Sequence, residues 1–544
     1  MNMHIFDLIV FLLFTVGTVA FGYLFGRTQQ SADEYTSGGG RIPGTVVGLS
    51  IFASFCSSIS FLGYASSAYS GDWNAFVFTL SILPAGLVAM WYFVPFYRKL
   101  GSISAYSYLE QRFGRWARVY ASAFYLFTQV CRSAAILYLL AVPMNVLMGW
   151  NIPVVITVTG LAIIIYARRG GMRSVIWTEA LQGAILIIGA ATCLIVVIQN
   201  LPGGLSQAYN ICRNDGKLSL GSFGPSLTES TFWVCMIYGL FTNLGNFGVD
   251  QSYTQRYCAA PTLTEARKSA LTGSLLPVPV NVMLFAIGSA LYAFYKVYPY
   301  SLPADIKADY VFPYFIIHEL PTGVIGAMLA CIFCAGMSTV ATSITSSATI
   351  IVTDFWGIWQ ERKHRHTVLA TIPDEVTAEN LDEYRAAREE HAAHAAHIDM
   401  KKVRALRLYS VIVGVASIGV AMAFLMVDNA LDAWWALSSL CSGGVLGLFL
   451  LGIIVRRAQR PQAIIGISAG MASLVLIGLQ TPLRDLFGIT PFLHVNLGIV
   501  VSTMLVFLVG WLTVPLFKGT PGTAPSVPLG SASPRDDADG PVAE

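Results

Sequence analysis

Long runs of apolar positions, each near the length of a membrane crossing, alternate with short polar loops along most of the chain. A crossing needs about 20 mainly apolar residues, because ~30 Å of hydrocarbon is covered at ~1.5 Å of helix per residue. On that criterion the pattern predicts thirteen spans, over 5–25, 45–69, 74–97, 119–148, 152–167, 174–200, 231–249, 269–297, 322–355, 405–427, 433–455, 462–480 and 495–517. The first is expected to be a retained span, not a cleaved leader. MNMHIFD has no Lys or Arg, includes Asp7, and opens an apolar run too long for a leader's core. The polar insertion 357–404 contains DEVTAENLDEYRAAREEHAAHAAH, an alanine-rich, charge-laced stretch that predicts a cytoplasmic helix. Its His391, His394 and His397 read as solvated surface, since no cysteine or well-placed carboxylate completes a ligand set. The 519–544 tail, rich in Pro, Gly, Ser and Asp, is expected to be disordered.

Composition agrees with an all-α integral membrane protein: only 12% of the 544 residues are charged and the mean hydropathy is +0.63. A soluble domain carries about 25% charged residues. A net charge of +3 gives no reason to expect a nucleic-acid partner. The nine cysteines are scattered, mostly inside apolar segments, and are expected to be reduced or inert. Lys and Arg are retained on the cytoplasmic side of a membrane. Here 27 of the 33 fall on one alternate set of loops, five on the other, and Arg132 lies within a span. That split puts the N-terminus outside and the C-terminus in the cytoplasm, as an odd number of spans also requires. A multi-pass membrane protein is the expectation.

Several residues are out of place in lipid. Arg132, inside TQVCRSAAILYLLAV, would cost at least ~2.5 to 3.5 kcal/mol if left unpaired in the bilayer. Either it pairs with a buried carboxylate such as Glu179, or its planar fork grips an anionic substrate. Glu179, in IWTEALQGA, has a cation, a proton or Arg132 as its possible partner. The second span, SIFASFCSSISFLGYASSAYSG, is rich in hydroxyls and broken by glycine, with Ser57 and Ser60 on one face. In FCAGMSTVATSITSSATIIVTDF, Ser338, Thr339 and Thr342 cluster within about one turn, with Ala335 a turn earlier. Carbonyls freed by a helix break, joined by such hydroxyls, suit a hard monovalent cation such as Na⁺. The span at 231–249 ends in YGLFTNLGNFGVDQ, where Gly239, Gly245 and Gly248 interleave with Asn243 and Asn246, and is expected to be a second broken helix. Interrupted spans two and seven lie five apart, as in two five-helix units repeated in inverted orientation about a midplane site. No nucleophile–base pair or HExxH-type set appears in the spans, so an enzyme is not expected.

These residues resemble the sodium:solute symporters, which share the leucine-transporter fold with an extra helix before a ten-helix core. The resemblance runs over roughly 5–455 and rests on SAYSYLEQRFG, IWTEALQ, DQSYTQRY and the long stretch DYVFPYFIIHELPTGVIGAMLACIFCAGMSTVATSITSSATIIVTDF. It implies an extra helix over 1–26, a first repeat over 45–200, a second over 231–455 containing the insertion, and two further helices over 462–517. It implies a main sodium site at the carbonyls of Ala53, Cys56 and Ala335 and the hydroxyls of Ser338 and Thr339. A second sodium, where the family has one, would use Glu179, Ser338 and Thr342, with Glu in place of the usual Asp and Ala341 in place of a frequent hydroxyl. Phe55 stands where the sugar-carrying branch has Asn. FCSSISF, AYSGDW and TQVCR look most like the sialic-acid branch, which implies substrate contacts at Ser57, Ser60 and Arg132, with Thr79 and Asn243 or Asn246 for the polar tail. Alternating access, with sodium organising the substrate site, is then the expected mechanism. A sodium-coupled carrier of a neutral sugar or monocarboxylate, a proton-coupled carrier using Glu179, and a non-transporting receptor are the alternatives.

Overall fold

The computed structural model describes residues 4–25, 31–303, 306–356, 381–426, 444–487 and 492–517, with the backbone alone for 25, 59, 142–143, 146–147, 309, 381–396 and 481–487. Every regular element among them is helical. The principal helices are α1 (Ile5–Phe25), α2 (Gly44–Phe55), α3 (Ser58–Ser70), α4 (Phe76–Leu100), α5 (Arg115–Met148), α6 (Ile152–Gln199), α7 (Phe232–Val249) and α8 (Gln251–Tyr257). They continue with α9 (Leu263–Leu275), α10 (Pro277–Val297), α11 (Ala308–His318), α12 (Val324–Ile350), α13 (Leu381–Ala423), α14 (Gly444–Ile454), α15 (Arg460–Phe487) and α16 (Gly498–Leu512). Ten described stretches are long and apolar enough to cross a membrane, and α2 with α3 form a bent pair that raises the number to eleven.

Helix α6 accounts for two of the predicted spans at once. Its 48 residues would extend about 72 Å if straight, more than two hydrocarbon thicknesses. Gly171 interrupts it at φ 50° and ψ −152°, a conformation that glycine alone adopts without strain, and separates the 152–167 and 174–200 arms. The 231–249 span differs from expectation in another way. Helix α7 runs unbroken through its glycines, and the chain turns only at Asp250, whose extended backbone (φ −71°, ψ 126°) and carboxylate cap α8. Two of those glycines serve close packing: Gly239 lies against Ser81 and the Phe78 backbone, and Gly248 against the ring of Phe93.

Helix α12 is the axis of the molecule. Its most apolar window is 83% buried, against 22% for peripheral α1, and it packs against α1, α2, α3, α5, α6 and α13. Asp7 fixes one end of it. The buried Asp7 carboxylate accepts from the amides of Gly323 (2.6 Å) and Gly326 (3.0 Å) at the α12 N-terminus, where free N–H groups and the helix dipole favour an anion. The predicted alanine-rich helix is the start of α13, which continues without interruption into the apolar stretch beyond His397. His397 is exposed, while the side chains of His391 and His394, the segment 357–380 and the tail from 518 lie outside the described residues. Of the predicted span 433–455, only the part from Gly444 is described. The eight described cysteines are free.

Candidate functional site

Helix α2 stops at Phe55 because the next two residues leave helical geometry: Cys56 at φ −82°, ψ 83° and Ser57 at φ −81°, ψ 173°. Gly44–Phe55 and Ser60–Ser70 are bent by 52° across this break. The Ser57 amide donates to the Phe55 carbonyl (3.1 Å), two residues back instead of four. Carbonyls in the last turn of α2 are therefore open to side chains from other helices. Ser338 Oγ, on α12, donates to the Ala53 carbonyl at 3.2 Å and to the Ala335 carbonyl at 2.8 Å, and Thr339 Oγ1 donates to the same Ala335 carbonyl at 3.4 Å.

Four of the five oxygens expected at the main sodium site thus converge, and Cys56, the fifth, sits in the break itself. Oxygens at right angles on a calcium-sized cation, each ~2.3 to 2.6 Å from it, stand about 3.3 to 3.7 Å apart. Sodium has a similar radius, and the 3.2 Å and 3.4 Å separations are close to that spacing. All four residues are buried.

The second cluster holds a residue that the sequence reading misplaced. Glu179, buried on α6, does not pair with Arg132. Its partner is the wholly buried Arg256 of α8, at 2.7 Å. The hydroxyls of Ser50, Ser54 (2.9 Å) and Thr342 donate to the same carboxylate. The Arg256 guanidinium reaches Ser50 Oγ (3.0 Å), Ser54 Oγ (2.5 Å), Thr342 Oγ1 (2.6 Å) and the Ser252 carbonyl (3.0 Å). A fixed positive charge therefore stands beside Glu179 and Thr342, two of the three residues expected at a second sodium site, while the third, Ser338, bonds the Ala53 and Ala335 carbonyls instead. Arg256 is one of the 27 basic residues that the hydropathy pattern assigns to loops, yet it is buried in α8. The clue lay in Ser50 and Ser54, hydroxyls four apart on one face of α2 and hence a buried polar stripe.

The candidate substrate residues gather around the other side of the break. Arg132 projects from α5 and donates to the Ser54 carbonyl at 3.4 Å, three residues before Ser57. Among the described residues it is in no ion pair. Ser57 is buried at the start of α3. Ser60 and Thr79 both face the Tyr64 hydroxyl, and Asn281 of α10, absent from the sequence reading, donates to Thr79 Oγ1 (3.0 Å) while its Oδ1 lies 3.6 Å from Cys56 Sγ. The two asparagines of α7 part company. Asn243 donates to Ser81 (3.0 Å), with its Oδ1 buried and without a hydrogen-bond partner among the described residues. Asn246 lines a cavity of about 120 Å³ with Gln129, Tyr125 and Asp250. Phe55 stacks on Phe247 at 6.0 Å, closing the apolar side of the break.

A broken helix whose freed carbonyls meet hydroxyls of a central helix, beside an arginine that is in no contact ion pair among the described residues and feels the buried Asp250 carboxylate only at longer range, is cation and anion chemistry side by side. Residues 35–372 match the sodium:solute symporter family. The chain belongs to that family. It is 31% identical over 507 residues to the sodium/sialic acid symporter NanT of Aliivibrio fischeri, covering 92% of this chain and 91% of the relative. It is likewise 31% identical over 514 residues to the sodium/sialic acid symporter SiaT of Proteus mirabilis, covering 92% and 94%. A solved Na⁺-coupled sialic acid symporter, in a substrate-bound outward-open state, superposes with a TM-score of 0.80 at 28% identity, covering 95% of this chain and 98% of that one. The protein is thus a multi-pass sodium-coupled transporter with helical architecture, and not an enzyme.

Proposed function

We propose that this symporter imports sialic acid, or a closely related carboxylated sugar, together with one sodium ion by alternating access. The observation that carries the reading is the 3.2 Å contact between Ser338 Oγ and the Ala53 carbonyl, which joins the central helix to the broken one. A sodium ion shared among Ala53, Cys56, Ala335, Ser338 and Thr339 ties α12 to the break. The same ion fixes Ser57 and Ser60 for the substrate, so the two ligands stabilise one conformation and raise each other's affinity. Arg132, in no contact ion pair among the described residues, receives the substrate carboxylate as a bidentate partner. Thr79 and Asn243 then face the polar tail; Asn246, in its separate cavity, is the weaker candidate.

The second cation position, at Glu179, Ser338 and Thr342, we assign to the Arg256 guanidinium and not to sodium. The energetics follow. One sodium crossing a tenfold gradient supplies ~1.4 kcal/mol. A monoanion carried with it cancels the charge and forgoes the ~2.3 kcal/mol per charge that 100 mV would add.

For topology we propose thirteen spans, counting both arms of α6 and completing the crossing that contains α14. The N-terminus is outside and the C-terminus is cytoplasmic in a bacterial inner membrane. The extra helix covers 1–26, the inverted repeats 45–200 and 231–455, and the two added helices 462–517, in a monomer. The test is uptake of labelled sialic acid, a monocarboxylate and a neutral sugar into proteoliposomes with Na⁺ or K⁺ outside at fixed pH. Sodium-dependent uptake of sialic acid alone is expected. Uptake driven equally by a proton gradient in K⁺, or a preference for the neutral sugar, would overturn the assignment.

A further inference from the structure

Away from the transport centre, two open cavities of about 670 and 420 Å³ adjoin at the end of α1, the Gly171 break of α6 and the middle of α13, and share Arg168, Arg407 and Val411 in their walls. Their polar lining is basic: Arg168 and Arg169 from α6, Arg404 and Arg407 from α13, with Tyr23 of α1 as the one other polar side chain. Among the described residues no carboxylate lines either cavity, and none of the four arginines is in an ion pair. Arg407 Nε is buried without a hydrogen-bond partner among those residues. Asp399, the nearest acid before them on α13, is engaged by the Ala32 amide through both carboxylate oxygens (3.1 Å each).

The arrangement is held in place. Arg169 lies over the Tyr23 ring at 4.1 Å. The Tyr35 hydroxyl bonds the Ala167 carbonyl (3.2 Å), the Arg168 carbonyl (3.3 Å) and Ser410 (3.0 Å), fixing α6 to α13 beside the cavities. Below the arginines the walls become apolar and face outward. Val154, Val158, Leu161 and Ile165 form one exposed helical stripe on α6, and Leu408, Ile412 and Val415 another on α13. Four guanidiniums in no ion pair among the described residues, heading two outward-facing apolar tracks, complement the polarity of an anionic phospholipid: a negative head and two or more acyl chains.

We propose that this groove is a binding site for an anionic phospholipid, whose phosphate groups the guanidiniums of Arg168, Arg169, Arg404 and Arg407 hold and whose chains lie along α6 and α13. The site is independent of the transported substrate. The test uses the purified full-length protein, with retained lipid counted by native mass spectrometry. Cardiolipin, phosphatidylglycerol, phosphatidylcholine and inorganic phosphate are supplied separately at matched concentration. Cardiolipin and phosphatidylglycerol are expected to stay bound at one site, and phosphatidylcholine and phosphate to be lost. Arg168→Gln/Arg407→Gln should lower anionic-lipid retention at least tenfold while keeping the sodium-induced thermal shift that reports a folded protein. The single variant Arg404→Gln serves if the double variant does not fold. Equal retention of phosphatidylcholine, stoichiometric capture of phosphate alone, or unchanged anionic-lipid binding in a folded variant would overturn the proposal.

Discussion

Arg132 and Arg256 carry the same charge inside the same membrane protein, yet their surroundings give them opposite roles. Arg256 is neutralised by Glu179 and held by three hydroxyls and a carbonyl, so its charge is consumed within the structure. Arg132 has a single hydrogen bond among the described residues, to the Ser54 carbonyl at 3.4 Å, and no contact ion pair. A hydrogen bond to a charged group contributes ~1.5 to 3 kcal/mol, so Arg132→Ala should weaken binding of a carboxylated sugar roughly 10- to 150-fold in a calorimetric titration. Arg132→Lys should recover only part of that, because a point charge lacks the fork. For the buried pair, Glu179→Gln or Arg256→Gln alone should each cost ~3 to 5 kcal/mol, read as a lowered thermal midpoint, by stranding the remaining charge. The double variant should lose less than the two single losses combined.

At the scale of helices, Asp7 shows how a residue far from the centre supports it. Its carboxylate caps α12, the helix that presents Ala335, Ser338 and Thr339. Asp7→Ala should lower stability by about 1 kcal/mol, measured by thermal unfolding in detergent, with sodium affinity retained by the protein that stays folded. Hydropathy made the long spans legible, and the hydroxyls marked the second span and α12 as out of place in lipid, but the second span breaks at Cys56–Ser57 and not at a glycine, Gly63 lying within α3. What hydropathy could not resolve was the use made of polar and small residues. The glycines of α7 looked like a break but admit neighbouring side chains and backbone, while the true interruption falls at Asp250, where a side-chain cap starts a new helix. Arg256 looked like a loop charge because α8 has only seven residues, too few for a periodic pattern, although all seven are buried. Asn281 gave no signal, since its partner Thr79 is about 200 residues distant in the chain.

For the molecule as a whole, the proposed assignment of the second cation position to the Arg256 guanidinium fixes the charge expected to move in each cycle. With one sodium and one monoanion, transport is electroneutral. Imposing a potassium diffusion potential with valinomycin should leave the initial uptake rate unchanged, whereas two sodiums would make it respond to ~2.3 kcal/mol per 100 mV. The central claim is that the ion bridging the α2–α3 break and α12 prepares the arginine-bearing pocket. Sialic acid affinity, measured by calorimetry on the purified protein in NaCl and in KCl at equal ionic strength, tests it most directly. The account predicts an affinity higher by roughly tenfold or more in sodium, within the ordinary range of coupling between sites, and loss of that difference in Ser338→Ala. Equal affinities in the two salts, or a sodium effect untouched by Ser338→Ala, would contradict it.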